Sequence, residues 1–253
     1  SIIGSEYWRN AYRPLLPGVQ HINYNSFDDL SFITTNTACV IAETVQAEAG
    51  ITVPQKNWIT ALQNRCRETG ALFILDEIQA GLGRTGKLWG FENFDVVPDV
   101  LLLGKGFGGG MPLGAFIAHK KLMNTLTENP VLGHITTFGG HPVCCAAGLA
   151  AFKVLMDEKL FEIVSQKENL FKSLLVHPKI KSINSCGLWM AVEFEDFETC
   201  KKIIDYCVTP AQNSMGLVTD WFLFAPTCLR ISPPLTISEE EIREAAKIIL
   251  KAL

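Results

Sequence analysis

Three short runs along the chain are wholly hydrophobic rather than alternating: Cys39-Val40-Ile41-Ala42, Leu72-Phe73-Ile74-Leu75 and Val100-Leu101-Leu102-Leu103. Continuous aliphatic and β-branched runs of this length fit strands buried on both faces of a parallel sheet. Between the first two, Trp58, Ile59, Leu62 and Cys66 recur at helical spacing. Pro54 suits the first turn of that helix, and Gly70 its stop. Strand, helix, strand is the βαβ unit of an α/β fold. A fourth run, over 114–118, predicts another strand. From Pro142 to about Val176 the pattern turns helical, first alanine-rich and then charged and amphipathic, as one long helix or two. The remainder alternates strands (189–194, 229–232) with helices (197–207, 238–250), and Ser238 with Glu241 forms a capping box for the last helix. The chain thus reads as α/β. A large, mostly parallel sheet with flanking helices and an exit helix occupies residues 1–164, and a smaller C-terminal α/β domain occupies residues 165–253.

Composition adds exclusions more than direction. With 253 residues, 48% of them hydrophobic and 19% charged, the chain can bury a substantial core. A net charge of -4 with no basic stripe argues against nucleic acid as a partner. No apolar run reaches the roughly 18 residues of a membrane span. The eight cysteines include no C-x-x-C pair, so neither zinc-ligand spacing nor a secreted disulfide framework is present, and reduced thiols in the cytoplasm are the expectation. His119, His134 and His141 lack metal-ligand spacing, and no metal is expected.

Candidate chemistry sits at the strand ends. Each of the three apolar runs leads to an ionisable residue: Glu43, Asp76 and Lys105. In an open parallel sheet, ligands bind beyond the carboxyl ends of the strands, so two carboxylates and an amine converge on one mouth. A single charged residue at a strand end is only where charge becomes tolerable; three together point to a site. Lys105 lies in Gly104-Lys105-Gly106-Phe107-Gly108-Gly109-Gly110. Glycines let a flat ligand approach the backbone, and dehydration there lowers the amine's pKa, as a Schiff-base nucleophile requires. Gly104, Gly106 and Gly109 also satisfy G-x-G-x-x-G, but a dinucleotide site needs a helix next, and Met111-Pro112-Leu113-Gly114 leads to an apolar run instead.

The stretch from Leu75-Asp76-Glu77-Ile78-Gln79 through Gly83-Arg84-Thr85-Gly86, then Pro98-Asp99, Gly104-Lys105 and Pro112-Leu113-Gly114-Ala115, resembles the signature of class III aminotransferases, the group of acetylornithine and ornithine aminotransferases. Leu15 to Gly18, Glu43 to Gly50, Thr137 to Pro142 and Leu229 to Leu235 extend the resemblance over essentially the whole chain. The resemblance implies pyridoxal 5'-phosphate as cofactor, a type I fold, and Lys105 as the lysine that holds the cofactor and moves protons. It implies Asp76 as the carboxylate that keeps the pyridine nitrogen protonated, so that the ring acts as an electron sink. Gln79 is similar to the residue beside the cofactor's 3-oxygen. Thr137 resembles the threonine that binds the phosphate of a neighbouring subunit's cofactor, which implies a homodimer. Arg230 looks like the arginine that grips a substrate carboxylate in a two-pronged pair, and Glu48 like its removable partner, with Glu43 nearby. On residue pattern alone Thr137 also fits a turn hydroxyl, Arg230 a surface ion pair and Gln79 a cap.

The implied reaction is amino-group transfer from an ω-amino or diamino acid to 2-oxoglutarate. A mutase, racemase or decarboxylase on the same scaffold remains open, as does a catalytically silent dimerisation fragment. Departures from the family pattern are Thr44 for its usual proline, Ala47 for glycine, His141 for asparagine, and no arginine-glycine ahead of Gly187-Leu188. Family members carry a further stretch of roughly 130–160 residues before this one, with the phosphate loop and the ring that stacks on the pyridine. The expectation is therefore a fragment, or half of a split protein, inactive by itself.

Overall fold

A computed structural model describes residues 1–209 and 215–253. After a short helix α1 (Glu6–Asn10), the chain reaches β1 (Cys39–Glu43), helix α2 (Lys56–Thr69), β2 (Leu72–Asp76), β3 (Val100–Leu103) and β4 (Ala115–Ala118). The sheet order is β1-β2-β3-β4, with the first three strands parallel and β4 antiparallel to β3. Helix α2 ends on Gly70 in the left-handed region, which a glycine adopts without steric cost. Gln55 holds the N-cap position without a side-chain cap, so Pro54 lies just ahead of the helix and not in its first turn.

Helix α2 buries Trp58, Ile59, Leu62 and Cys66 against Phe73 and Leu75 of β2 and against Val40 and Ala42. Each such large side chain removed from water contributes about 1.5–3 kcal/mol. The expectation of strands buried on both faces fails on β1, and β4 is likewise open on one face. Ile41 of β1 is 42% exposed and Ile117 of β4 is 49% exposed. Both strands are edges of the sheet, and on β1 only the Val40/Ala42 face meets a covering helix.

The chain continues through α3 (Lys120–Met123), α4 (Pro142–Asp157) and α5 (Val164–Leu174), so the long helical stretch is two helices. Then come β5 (Ser182–Ser185), β6 (Met190–Glu193), α6 (Phe197–Val208), β7 (Trp221–Phe222), β8 (Ala225–Ile231) and α7 (Glu239–Lys251). The second sheet is antiparallel, in the order β5-β6-β8-β7. Ser238 and Glu241 make the reciprocal cap of α7.

Side-chain alternation divides this second sheet cleanly. Leu188, Met190, Val192, Leu229 and Ile231 join α5, α6 and α7 in one core. Trp189, Ala191 and Cys228, with Phe222, pack into the core of the first sheet. Arg230 shares the parity of Cys228. It therefore points back toward the first sheet rather than into the helices.

Candidate active site

The parallel register sets Glu43 beside Asp76, on the same face as Ile41 and Ile74 and at the carboxyl ends of β1 and β2. Asp76 Oδ1 accepts the Ile78 amide at 2.9 Å, which fixes the carboxylate at the strand end. Glu43 accepts the Ala47 amide at 2.9 Å. Burial pushes the Glu43 carboxyl above the ordinary carboxylate range, against that hydrogen bond, and the charges of Asp76 and Glu48 add to the rise. Tyr24 donates its hydroxyl to the Glu43 and Thr44 carbonyls at 3.1 and 2.8 Å and tilts against Trp58, tying the preceding segment to the end of β1.

Lys105 follows β3 and opens a tight 3₁₀ turn, Lys105–Gly108. The turn leads into antiparallel β4 and not into a helix, so the G-x-G-x-x-G match is no dinucleotide site. Lys105 has φ 46°, in the left-handed region where a side chain is strained. Such strain persists where surrounding structure enforces it, typically at functional positions. Here the enforcing neighbour is α4. A Cβ on Gly148 would stand 2.6 Å from the Phe107 carbonyl, so only glycine lets the helix lie against the turn. Dehydration lowers the Lys105 pKa, as does Arg230, while Glu48, Asp76 and Glu43 oppose the fall. The amine is exposed in the open mouth, so its dehydration is partial.

A cleft of about 190 Å³ joins the two sheets, lined by Gln79, Arg84, Lys105, Gly106, Trp189 and Arg230 among others. Arg230 Nη2 donates to Glu48 Oε2 at 2.8 Å and to Oε1 at 3.1 Å. Glu48 Oε2 also accepts the Leu223 amide at 2.9 Å. Burial works to raise the Glu48 carboxyl, but Arg230, the Leu223 amide and the Gln79 side chain together hold it below its ordinary value. Of the residues singled out in the sequence, Gln79, Lys105 and Arg230 line this cleft, Glu48 is held to it through Arg230, and Glu43 and Asp76 lie close enough for their charges to act on Lys105. Thr137 stands apart. It lines a separate hollow with Pro112, Leu113, Gly114 and Phe138.

Two residues carry more than their sequence suggested. Glu77 is buried and accepts the Thr44 hydroxyl and the Gly90 and Phe91 amides, the latter two at 2.7 and 2.9 Å. Burial still raises its pKa, with these hydrogen bonds working against the rise. The Thr44 departure is thereby explained, since a proline there offers Glu77 no hydroxyl. Arg84 donates through Nη1 to the carbonyls of Leu188 and Pro233 at 2.8 and 2.6 Å, stapling the two sheets across the cleft. Burial pulls its pKa down to about 10. The sequence assigned neither Glu77 nor Arg84 a role of its own, and only their tertiary burial reveals one.

The sequence model of the aminotransferase class-III family matches residues 10–253. The chain belongs to the class III aminotransferase family. Among solved structures, the ornithine aminotransferase of Toxoplasma gondii ME49 is 32% identical, with TM-score 0.88, over 98% of this chain and 59% of its own. A second Toxoplasma gondii ornithine aminotransferase structure, with pyridoxal phosphate partly occupying its active site, is 31% identical, with TM-score 0.87, over 98% of this chain. The acetylornithine aminotransferase of Elizabethkingia anophelis is 32% identical, with TM-score 0.80, over 93% of this chain and 60% of its own. This class III chain thus spans 58% of the length of one Toxoplasma protein and 59% of the other. Class III aminotransferases depend on pyridoxal 5'-phosphate. An amine on a strained turn, a fixed carboxylate and an amide around one mouth are a donor set that suits the pyridine end of that cofactor. No helix among the described residues is long and apolar enough to cross a membrane.

Proposed function

We propose that the full-length protein transfers the amino group of an ω-amino or diamino acid, ornithine-like or acetylornithine-like, to 2-oxoglutarate. The observation that carries this reading is the Glu48–Arg230 pair in the same cleft as Lys105. Bound pyridoxal phosphate supplies the electron sink that stabilises negative charge at the substrate carbon. Lys105 would hold the cofactor covalently and carry the proton to and from that carbon. Asp76 would keep the pyridine nitrogen protonated, and Gln79 would meet the ring's 3-oxygen. Arg230 paired with Glu48 presents a neutralised wall to a terminal-amine donor. Arg230 released from Glu48 presents a bidentate grip for a dicarboxylate.

Replacing Glu48 by alanine tests this division. The cofactor-loaded Glu48→Ala protein should react faster with glutamate relative to the ω-amino donor by about tenfold, the cost of one charge-assisted hydrogen bond. Single-turnover rates of the two half-reactions measure it. Equal change in both means that Glu48 is no switch.

The same proposal includes a homodimer in the cytoplasm. Phe138, Ile135 and Val131 ahead of α4, and Val143 and Leu149 on it, are exposed large apolar side chains next to the hollow that holds Thr137. A second copy covering this face would bring Thr137 to its partner's cofactor phosphate.

By itself, the 253-residue polypeptide should be silent. Its sheet edges and the apolar side of α4 favour association through exposed surface, and Lys105 stands in an open mouth. Purified alone and titrated with pyridoxal phosphate, it should bind weakly and show no turnover with ω-amino donors and 2-oxoglutarate. A soluble preparation with stoichiometric cofactor and steady turnover would refute this.

A further inference from the structure

We infer that Asp220 is a fixed countercharge on Arg230, a specificity-determining residue that tempers how tightly this arginine holds any carboxylate. The inference rests on the reading of Arg230 as the carboxylate grip.

Four consecutive residues surround the Glu48–Arg230 pair. Asp220 Oδ1 lies 2.8 Å from Arg230 Nε, an ion contact in which the Nε hydrogen is not aimed at the oxygen. The Trp221 carbonyl accepts from Nη2 at 3.3 Å. The ring of Phe222, fully buried, lies 4.3 Å from the guanidinium carbon, a cation–π arrangement that holds the guanidinium in one plane. The Leu223 amide donates to Glu48 itself.

The two carboxylates differ in what fixes them. Asp220 immediately precedes β7, the strand that pairs with β8. The Arg230 amide donates to the Asp220 carbonyl at 2.9 Å, and the Thr219 hydroxyl donates to the Arg230 carbonyl at 2.7 Å. Backbone pairing thus keeps the Asp220 main chain opposite Arg230, with its side chain 63% exposed at the Nε side. Glu48 comes from the loop after β1, on the other sheet; the Phe224 amide holds its carbonyl at 2.9 Å, so it is the side chain alone that swings away. An incoming carboxylate can take the Nη edge that Glu48 vacates, but it never meets a bare cation, because Asp220 stays at the Nε side. The fixed charge weakens the hold of Arg230 on Glu48 and on substrate alike. That lowers the cost of the unpaired state through which one carboxylate replaces the other.

Since the effect on Glu48 and on ligand cancels in the exchange, it must be read where Glu48 is absent. Glutarate, a dicarboxylate without a keto group, is the probe, titrated calorimetrically into the cofactor-loaded full-length protein carrying Glu48→Ala. Adding Asp220→Asn should tighten glutarate roughly threefold, the scale of an exposed ion pair. The gain should fade at high salt, which screens an exposed charge. Adding Asp220→Glu instead should leave affinity near that of Glu48→Ala, which separates charge from packing. Unchanged or weaker glutarate binding in Asp220→Asn overturns the role of Asp220. The underlying reading fails separately: in the same background Arg230→Gln should lose most glutarate binding, and if it does not, or if Glu48→Ala takes no glutarate, Arg230 is not the grip.

Discussion

In the full-length protein Lys105→Ala should abolish transamination, and it should remove the visible absorbance of covalently held pyridoxal phosphate. Losing both the covalent attachment and the group that carries the proton should slow turnover by at least about four orders of magnitude, ~5.4 kcal/mol of barrier. The geometry singles out this lysine. It is strained at φ 46°, partly dehydrated, and surrounded by the charges of Glu48, Arg230, Asp76 and Glu43. Borohydride reduction followed by peptide mapping gives an independent check, with the reduced cofactor on the peptide carrying residue 105. Reduced cofactor on any other lysine removes Lys105 from the role.

Asp76→Asn is the second large effect expected. Asparagine keeps an oxygen for the Ile78 amide, so the strand end and cofactor binding should survive. A neutral side chain no longer holds the ring nitrogen protonated, and loss of that charge stabilisation should slow proton removal by about a thousandfold, ~4 kcal/mol. Solvent-exchange rates at the donor's reacting carbon, measured beside cofactor affinity, separate the two. A variant that binds cofactor normally and turns over near the parent rate takes Asp76 out of the mechanism.

Much of this site was legible before any coordinates. The wholly apolar runs marked β1, β2 and β3, and their charged ends marked the mouth, because parallel strands bring their carboxyl ends to one side. Helix α2 announced itself through Trp58, Ile59, Leu62 and Cys66. The edges of the first sheet were illegible, since Cys39 to Ala42 look the same whether one face or both are covered. Glu77 was hidden for the opposite reason: its environment is built by Thr44, Gly90 and Phe91, which are distant in sequence. The contact between Asp220 and Arg230 depends on the pairing of β7 with β8, and no local pattern encodes that pairing.

The alternation along β8 carries a consequence for how this chain can vary. Cys228 and Arg230 face one core and Leu229 and Ile231 the other, so a single inserted or deleted residue in β8 would exchange the two sets. Arg230 would be driven among α5, α6 and α7, and a leucine would be delivered to the cleft. Lineages of this protein can lengthen or shorten the turns around the second sheet, but within β8 they can drift only by substitution. The frame that makes the small sheet stable is the same frame that aims its arginine, and neither can be edited without the other.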